Sequence, residues 1–278
     1  MKKKYLTCLL ILSCVMFMWL KLKTDQIPRK KIPGSSIIYI PSGKYLKYVT
    51  FGNPALIADI IYLWAIQYFS DQTISDRYLY LDHIFSIIAE LDYRYLDPYE
   101  VGALIAVYEA NDLETGFKIL DRGLANNPDQ WIFPFQAAHY AQMGQQGYEL
   151  AQKYYKKAME IKTAPPLIRR LYADAAFKAM DLKTSWNTWL EIYQTAEDER
   201  IKKIASNHLY QVKAAIDAFI IKEALEAYKK KFNRYPENLD QLVLAGLLRS
   251  VPKDLDEKDY LYDSKTGEVK PRVSPWKR

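Results

Sequence analysis

The sequence predicts an all-α fold: a helix-turn-helix solenoid of about three repeats with a small C-terminal β-hairpin. Three observations predict it. Small residues recur at Gly116, Ala151 and Ser185, 35 and 34 positions apart. Each is followed four positions on by a bulky side chain (Leu120, Tyr155, Trp189) and three further by Gly123, Ala158 and Ile192, so each triplet shares one helix face. Upstream, Ala138 and Ala173 keep a spacing of 35, and Pro128 and Pro165-Pro166 fall where a second helix should end. Four regions follow: an apolar segment and linker at 1–34, leading helices at 35–96, repeats at 97–196, and a long helix with a capping segment at 197–278.

The first region holds the charge excess. The whole chain carries a formal +6, but residues 1–34 contain eight bases and one acid, and the remaining 31 bases and 32 acids nearly cancel. A near-neutral body argues against nucleic acid as a partner. The bases flank an uncharged apolar run, Tyr5 to Leu20, which predicts a signal-anchor; a lipobox-like Ile11 to Cys14 and a cleaved signal are the alternatives. The expectation is a single-pass protein of the inner membrane, held through Tyr5 to Leu20, with its body on the periplasmic side of a bacterial envelope. Both cysteines, Cys8 and Cys14, lie in that run, so the body has no thiol chemistry.

Pro28 to Ser36 reads as a polar linker. Ala55 to Phe69 is apolar nearly all round, but Asp59 and Gln67 interrupt it and Asn53-Pro54 starts it like a cap, which favours a buried opening helix over a second membrane segment. A helix over 77–91 carries Leu79, Leu81, Ile84, Phe85, Ile88 and Leu91 at helical spacing. From Asp97 to Ala196 the period and the Ala151, Tyr155, Ala158 pattern resemble tetratricopeptide repeats, with Leu104 in place of a small residue in repeat one and Ile192 in place of one in repeat three. That resemblance implies protein binding along a groove lined by the first helix of each repeat. Val101, Ile105 and Tyr108 from repeat one are the expected lining. Phe135, His139 and Gln142 come from repeat two, and Arg170, Asp174 and Phe177 from repeat three.

Asp198 to Lys231 reads as one long helix or two abutting ones. Pro236 opens a short helix that Gly246 closes, and Tyr260 to Lys270 reads as a hairpin turning at Asp263 to Gly267. The stretch from Ala224 to Lys270 resembles the tail of type II secretion and type IV pilus pseudopilins, whose processing signature is missing here. The resemblance implies a possible setting in secretion or pilus machinery. The tail is expected to cap the last apolar helix face.

Nothing in the sequence calls for catalysis. His83, His139 and His208 stand far apart with no metal-ligand spacing, no nucleophile elbow occurs, and no phosphate loop is present. Asp254, Asp256, Glu257 and Asp259 fit no calcium loop and read as a solvated acidic turn. No metal, cofactor or small-molecule substrate is expected. The function predicted is that of a membrane-anchored binding scaffold; a structural membrane protein, or an enzyme with a site invisible in sequence, are the alternatives.

Overall fold

The computed structural model of the chain describes residues 2–25, 40–144 and 147–274. The linker expected at 28–36 lies outside them. Helices dominate. α1 (Lys2–Asp25) and α2 (Gly43–Leu46) precede α3 (Pro54–Ser70) and α4 (Leu81–Leu91). Three helix pairs follow: α5 (Asp97–Leu104) with α6 (Leu113–Asn126), α7 (Ile132–Met143) with α8 (Gly147–Met159), and α9 (Leu167–Lys178) with α10 (Leu182–Thr195). The chain ends in α11 (Glu199–Phe232), α12 (Asp240–Leu244) and an antiparallel hairpin of β1 (Leu261–Asp263) and β2 (Glu268–Lys270), with Leu261 opposite Lys270. From α3 to α11 each helix packs on the next in chain order.

The expectation of a single-pass inner-membrane anchor is overturned. Among the described residues, no helix is long and apolar enough to cross a membrane. The physical reason is length: the uncharged stretch of α1 ends at Lys21, and 16 residues at ~1.5 Å each reach about 24 Å of a roughly 30 Å hydrocarbon core. α3 is an opening helix of the body, as its interruptions indicate. Ala58, Ala65, Tyr68 and Phe69 are buried, while Leu56, Ile60 and Leu63 remain exposed. In the next helix Leu79 falls on the exposed side of a 3-10 turn, Arg77–Tyr80, and the other expected apolar positions are buried.

Small residues set how closely the paired helices approach. Ala103, Ala138 and Ala173 recur every 35 residues in the first helices, and Ala106, Ala141 and Ala176 do the same; all six are 0% exposed. In the second helices Gly116, Ala151 and Ser185 are buried at the same period. A Cβ on Gly116 would stand 2.6 Å from a Val107 methyl and 3.5 Å from the Ala103 carbonyl oxygen. In the third pair the Ser185 hydroxyl donates to the Ala173 carbonyl at 2.9 Å, so the one polar member is satisfied. Leu120, Tyr155 and Trp189 are buried beside these contacts. The small residue of the first helix in repeat one is therefore Ala103 and not Leu104, which is exposed.

The turns explain the slip. α10 starts at an Asp181 cap whose carboxylate accepts from Thr184 N, and α6 starts at an equivalent Asp112 cap that accepts from Thr115 N. A left-handed residue precedes each, Met180 (φ 62°) and Asn111 (φ 53°). In the third pair Asp181 N donates to Ala176 O; in the first, Asp112 N donates to Ala106 O across one residue more. A π turn at Ile105–Glu109 absorbs that residue.

Polar bonds between residues one period apart stitch neighbouring units. Gln136 donates to Glu100, Tyr154 to Asp121, and the Asn127 amide to the Tyr93 carbonyl. Lys118 and Arg122 both reach Asp82 on α4 at 2.6 Å.

At the C-terminus α11 is one continuous helix. Ile221, Leu225 and Tyr228 pack against Leu239, Leu242 and Tyr260 of the tail. Asp254 is not a solvated acid: it is 3% exposed and accepts from the Tyr210 hydroxyl at 2.7 Å and from the Asp256 and Lys258 amides. Burial pushes its pKa up, but these donors outweigh burial and hold the carboxyl below its ordinary value. A second buried acid, Asp217, accepts from the Tyr260 hydroxyl at 2.6 Å and pairs with Lys213.

Ala138→Leu overpacks the helix contact and should cost ~1–3 kcal/mol in urea unfolding, whereas His139→Leu, one position on and exposed, should stay within ~0.5 kcal/mol. Because the folded pKa of Asp254 is depressed, its contribution is full above the unfolded-state value of about 3.9 and is lost as pH falls through the lower folded value. The acid-induced loss of tail protection, followed by amide exchange over 250–270, should become shallower in Asp254→Asn, which should also be less stable at neutral pH.

Candidate functional site

The first helices α5, α7 and α9 present one outward face. Its register follows from the buried alanines: with Ala103 and Ala106 turned inward, Leu104 and Tyr108 turn outward. Leu104 is 46% exposed, Tyr108 51% and Met143 60%. His139 is also exposed and lies between them in the repeat, 35 positions after Leu104. Tyr108 ties two units together: its hydroxyl donates to the Met143 sulfur at 3.2 Å, and its ring meets Tyr140 edge-on at 5.7 Å. Beside it Gln136 donates to Glu100 at 2.6 Å. Burial is the main cause that raises the Glu100 pKa; the Gln136 bond opposes it and the nearby Asp97 adds to it. Burial likewise pushes the Tyr140 hydroxyl up to about 12.

The nine residues expected to line a groove divide. Tyr108 and His139 are exposed on this face. Ile105 is buried, contrary to expectation, because repeat one was aligned on Leu104 and its neighbours moved with it. Val101 is half-buried against the core. Phe135 packs among aromatics, 5.6 Å from the Trp131 ring and 6.3 Å from Tyr155. Gln142 is a structural partner: its amide donates to the Tyr155 hydroxyl at 2.5 Å, and burial pushes that hydroxyl up to about 12. Asp174 pairs with Lys178 at 2.8 Å, and the Lys178 ammonium sits 5.2 Å over the Tyr148 ring. Phe177 is half-buried in the Trp189 cluster. Arg170 lines a cavity at the end of α9, with Arg169.

Leu104, Met143, Glu100 and Gln136 were missed. A signal for the first two was present: Leu104 lies 35 positions before His139, and Met143 lies 35 after Tyr108.

His208 on α11 continues the series 35 positions past Ala173. Its ring stacks on Trp189 at 4.0 Å with 6° between the planes. Burial holds its pKa below the ordinary histidine value. Among the described residues no group of three or more His, Cys, Asp or Glu could hold a metal ion. The arrangement offers contact area and hydrogen-bonding groups. No protein-family model matches the chain, and no curated protein is detectably similar to it.

Gln142→Ala should leave the buried Tyr155 hydroxyl without its donor and cost ~1–3 kcal/mol in chemical unfolding, which marks Gln142 as a stability residue.

Proposed function

We propose that this chain is a tetratricopeptide-like binding scaffold that engages a protein partner through the face of its first helices and carries out no catalysis. The observation that carries the reading is that this face stays open. Among the described residues, Leu104, Tyr108 and Met143 stand exposed in two consecutive units. Exposed large apolar side chains in register along packed helices are what a helix or extended apolar peptide docks against. A repeating architecture supports the same reading, because an array whose units touch only their neighbours presents an extended surface. The partner should bring apolar or aromatic anchors, for which Tyr108 and Met143 supply a broad, adaptable contact. The polar pair Glu100 and Gln136 lies beside them and gives that contact an orientation.

Photocrosslinking in expressing cells tests this. p-Benzoylphenylalanine at position 108 should yield a discrete adduct that Leu104→Ser with Met143→Ser abolishes. The same group at position 244, which is 86% exposed on the short helix of the tail, should not yield that adduct. The same adducts from both positions, or an adduct that survives the double substitution, would contradict the proposal.

A further inference from the structure

A cavity of about 610 Å³ opens where the connection from α8 to α9 meets the connection from α10 to α11. It contains none of the exposed first-helix residues described above. Its volume falls within the ~300–1,000 Å³ usual for small-molecule sites. Buried Ile168 and Ile192 form part of its wall.

Two arginines stand in it, and they differ in one respect. Arg169 is neutralised by Glu191 at 2.8 Å. Arg170 is half-buried and, among the described residues, has no carboxylate partner. A cation taken partly out of water without a counter-ion is a standing cost that an anionic ligand would offset. The acids around the opening do not supply that counter-ion. Asp198 caps α11 through Arg200 N at 2.7 Å, and Glu197 lies exposed at the rim. Pro165 and Pro166 enter α9 without N–H groups, so the backbone there offers few donors and anion recognition falls to side-chain cations: half-buried Arg170 inside and exposed Lys162 at the rim. A planar fork suits a carboxylate, and the nearby Glu197 charge disfavours ligands carrying more than one negative charge.

We propose that this cavity binds a small aliphatic monocarboxylate, with its carboxylate paired to Arg170 and its chain against Ile168 and Ile192. This goes beyond the scaffold reading and beyond the sequence, which predicts no small-molecule ligand.

Titration calorimetry on the full chain with octanoate, 1-octanol and octylamine tests it. Octanoate should bind saturably at one site per chain. The alcohol and the amine should bind roughly tenfold more weakly or worse, because each lacks the charge-assisted bond. Arg170→Gln should weaken octanoate by a similar factor, and Glu197→Gln should tighten it by removing a repelling charge. Unaltered circular dichroism would show that the variants fold; if Arg170→Gln does not fold, the three-ligand comparison and Glu197→Gln decide. No saturable octanoate binding, equal binding of octanol, or binding indifferent to a folded Arg170→Gln would overturn the proposal. None of these outcomes depends on the crosslinking result at position 108.

Discussion

Close approach of paired helices at small residues is the constraint on which the body depends. Ala103 and Ala106 face Gly116, and Ala173 faces Ser185, with no room for a larger side chain at the first of these contacts. Alanine costs no side-chain entropy in a helix and lets two axes approach closely. Large residues follow four positions after the small ones, and Leu120, Tyr155 and Trp189 are all buried. Each helix from α3 to α11 then packs on the next in chain order. The bonds from Gln136 to Glu100 and from Tyr154 to Asp121 run between units at that spacing.

The exposed face is a consequence of the same constraint. Once every third or fourth residue of a first helix is committed inward, the positions between must turn out. Leu104, Tyr108 and Met143 leave large apolar surface exposed there, a departure from the usual division of a surface helix, although Tyr108 also bridges to Met143 and Tyr140. At the other end of the body, the tail satisfies the last helix with a different device. Tyr210 and Tyr260 donate to the buried acids Asp254 and Asp217, so two long-range hydrogen bonds fasten the hairpin region to α11.

Much of this was legible in the sequence. The second-helix triplets, the long α11, the short helix after Pro236 and the hairpin turn all lie where periodicity and turn chemistry put them. The face of repeat one lies one residue away from the sequence expectation, because the last second-helix step is 34 while the first helices step by 35 throughout. No local signal announces a π turn, so the extra residue between Ala106 and Asp112 could not be placed. The buried roles of Asp254 and Asp217 were invisible for a different reason: their partners lie more than 40 residues away in sequence. A charge cluster on a turn gives no hint that one of its members points inward. The lysines flanking the N-terminal run predict an anchor, whereas no helix among the described residues is long and apolar enough to cross a membrane.

The most direct measurement of the repeating array is a pulsed electron resonance distance between spin labels at Leu104→Cys and Asp174→Cys, with Cys8 and Cys14 changed to Ser. Helix packing at ~8–10 Å per layer puts the first helices of units one and three about 20 Å apart. A repeating array predicts a single narrow distribution near that distance, unchanged by His139→Ala in the unit between. A broad distribution, or one centred well beyond about 35 Å, would contradict a body built from equivalent units stacked on small-residue contacts.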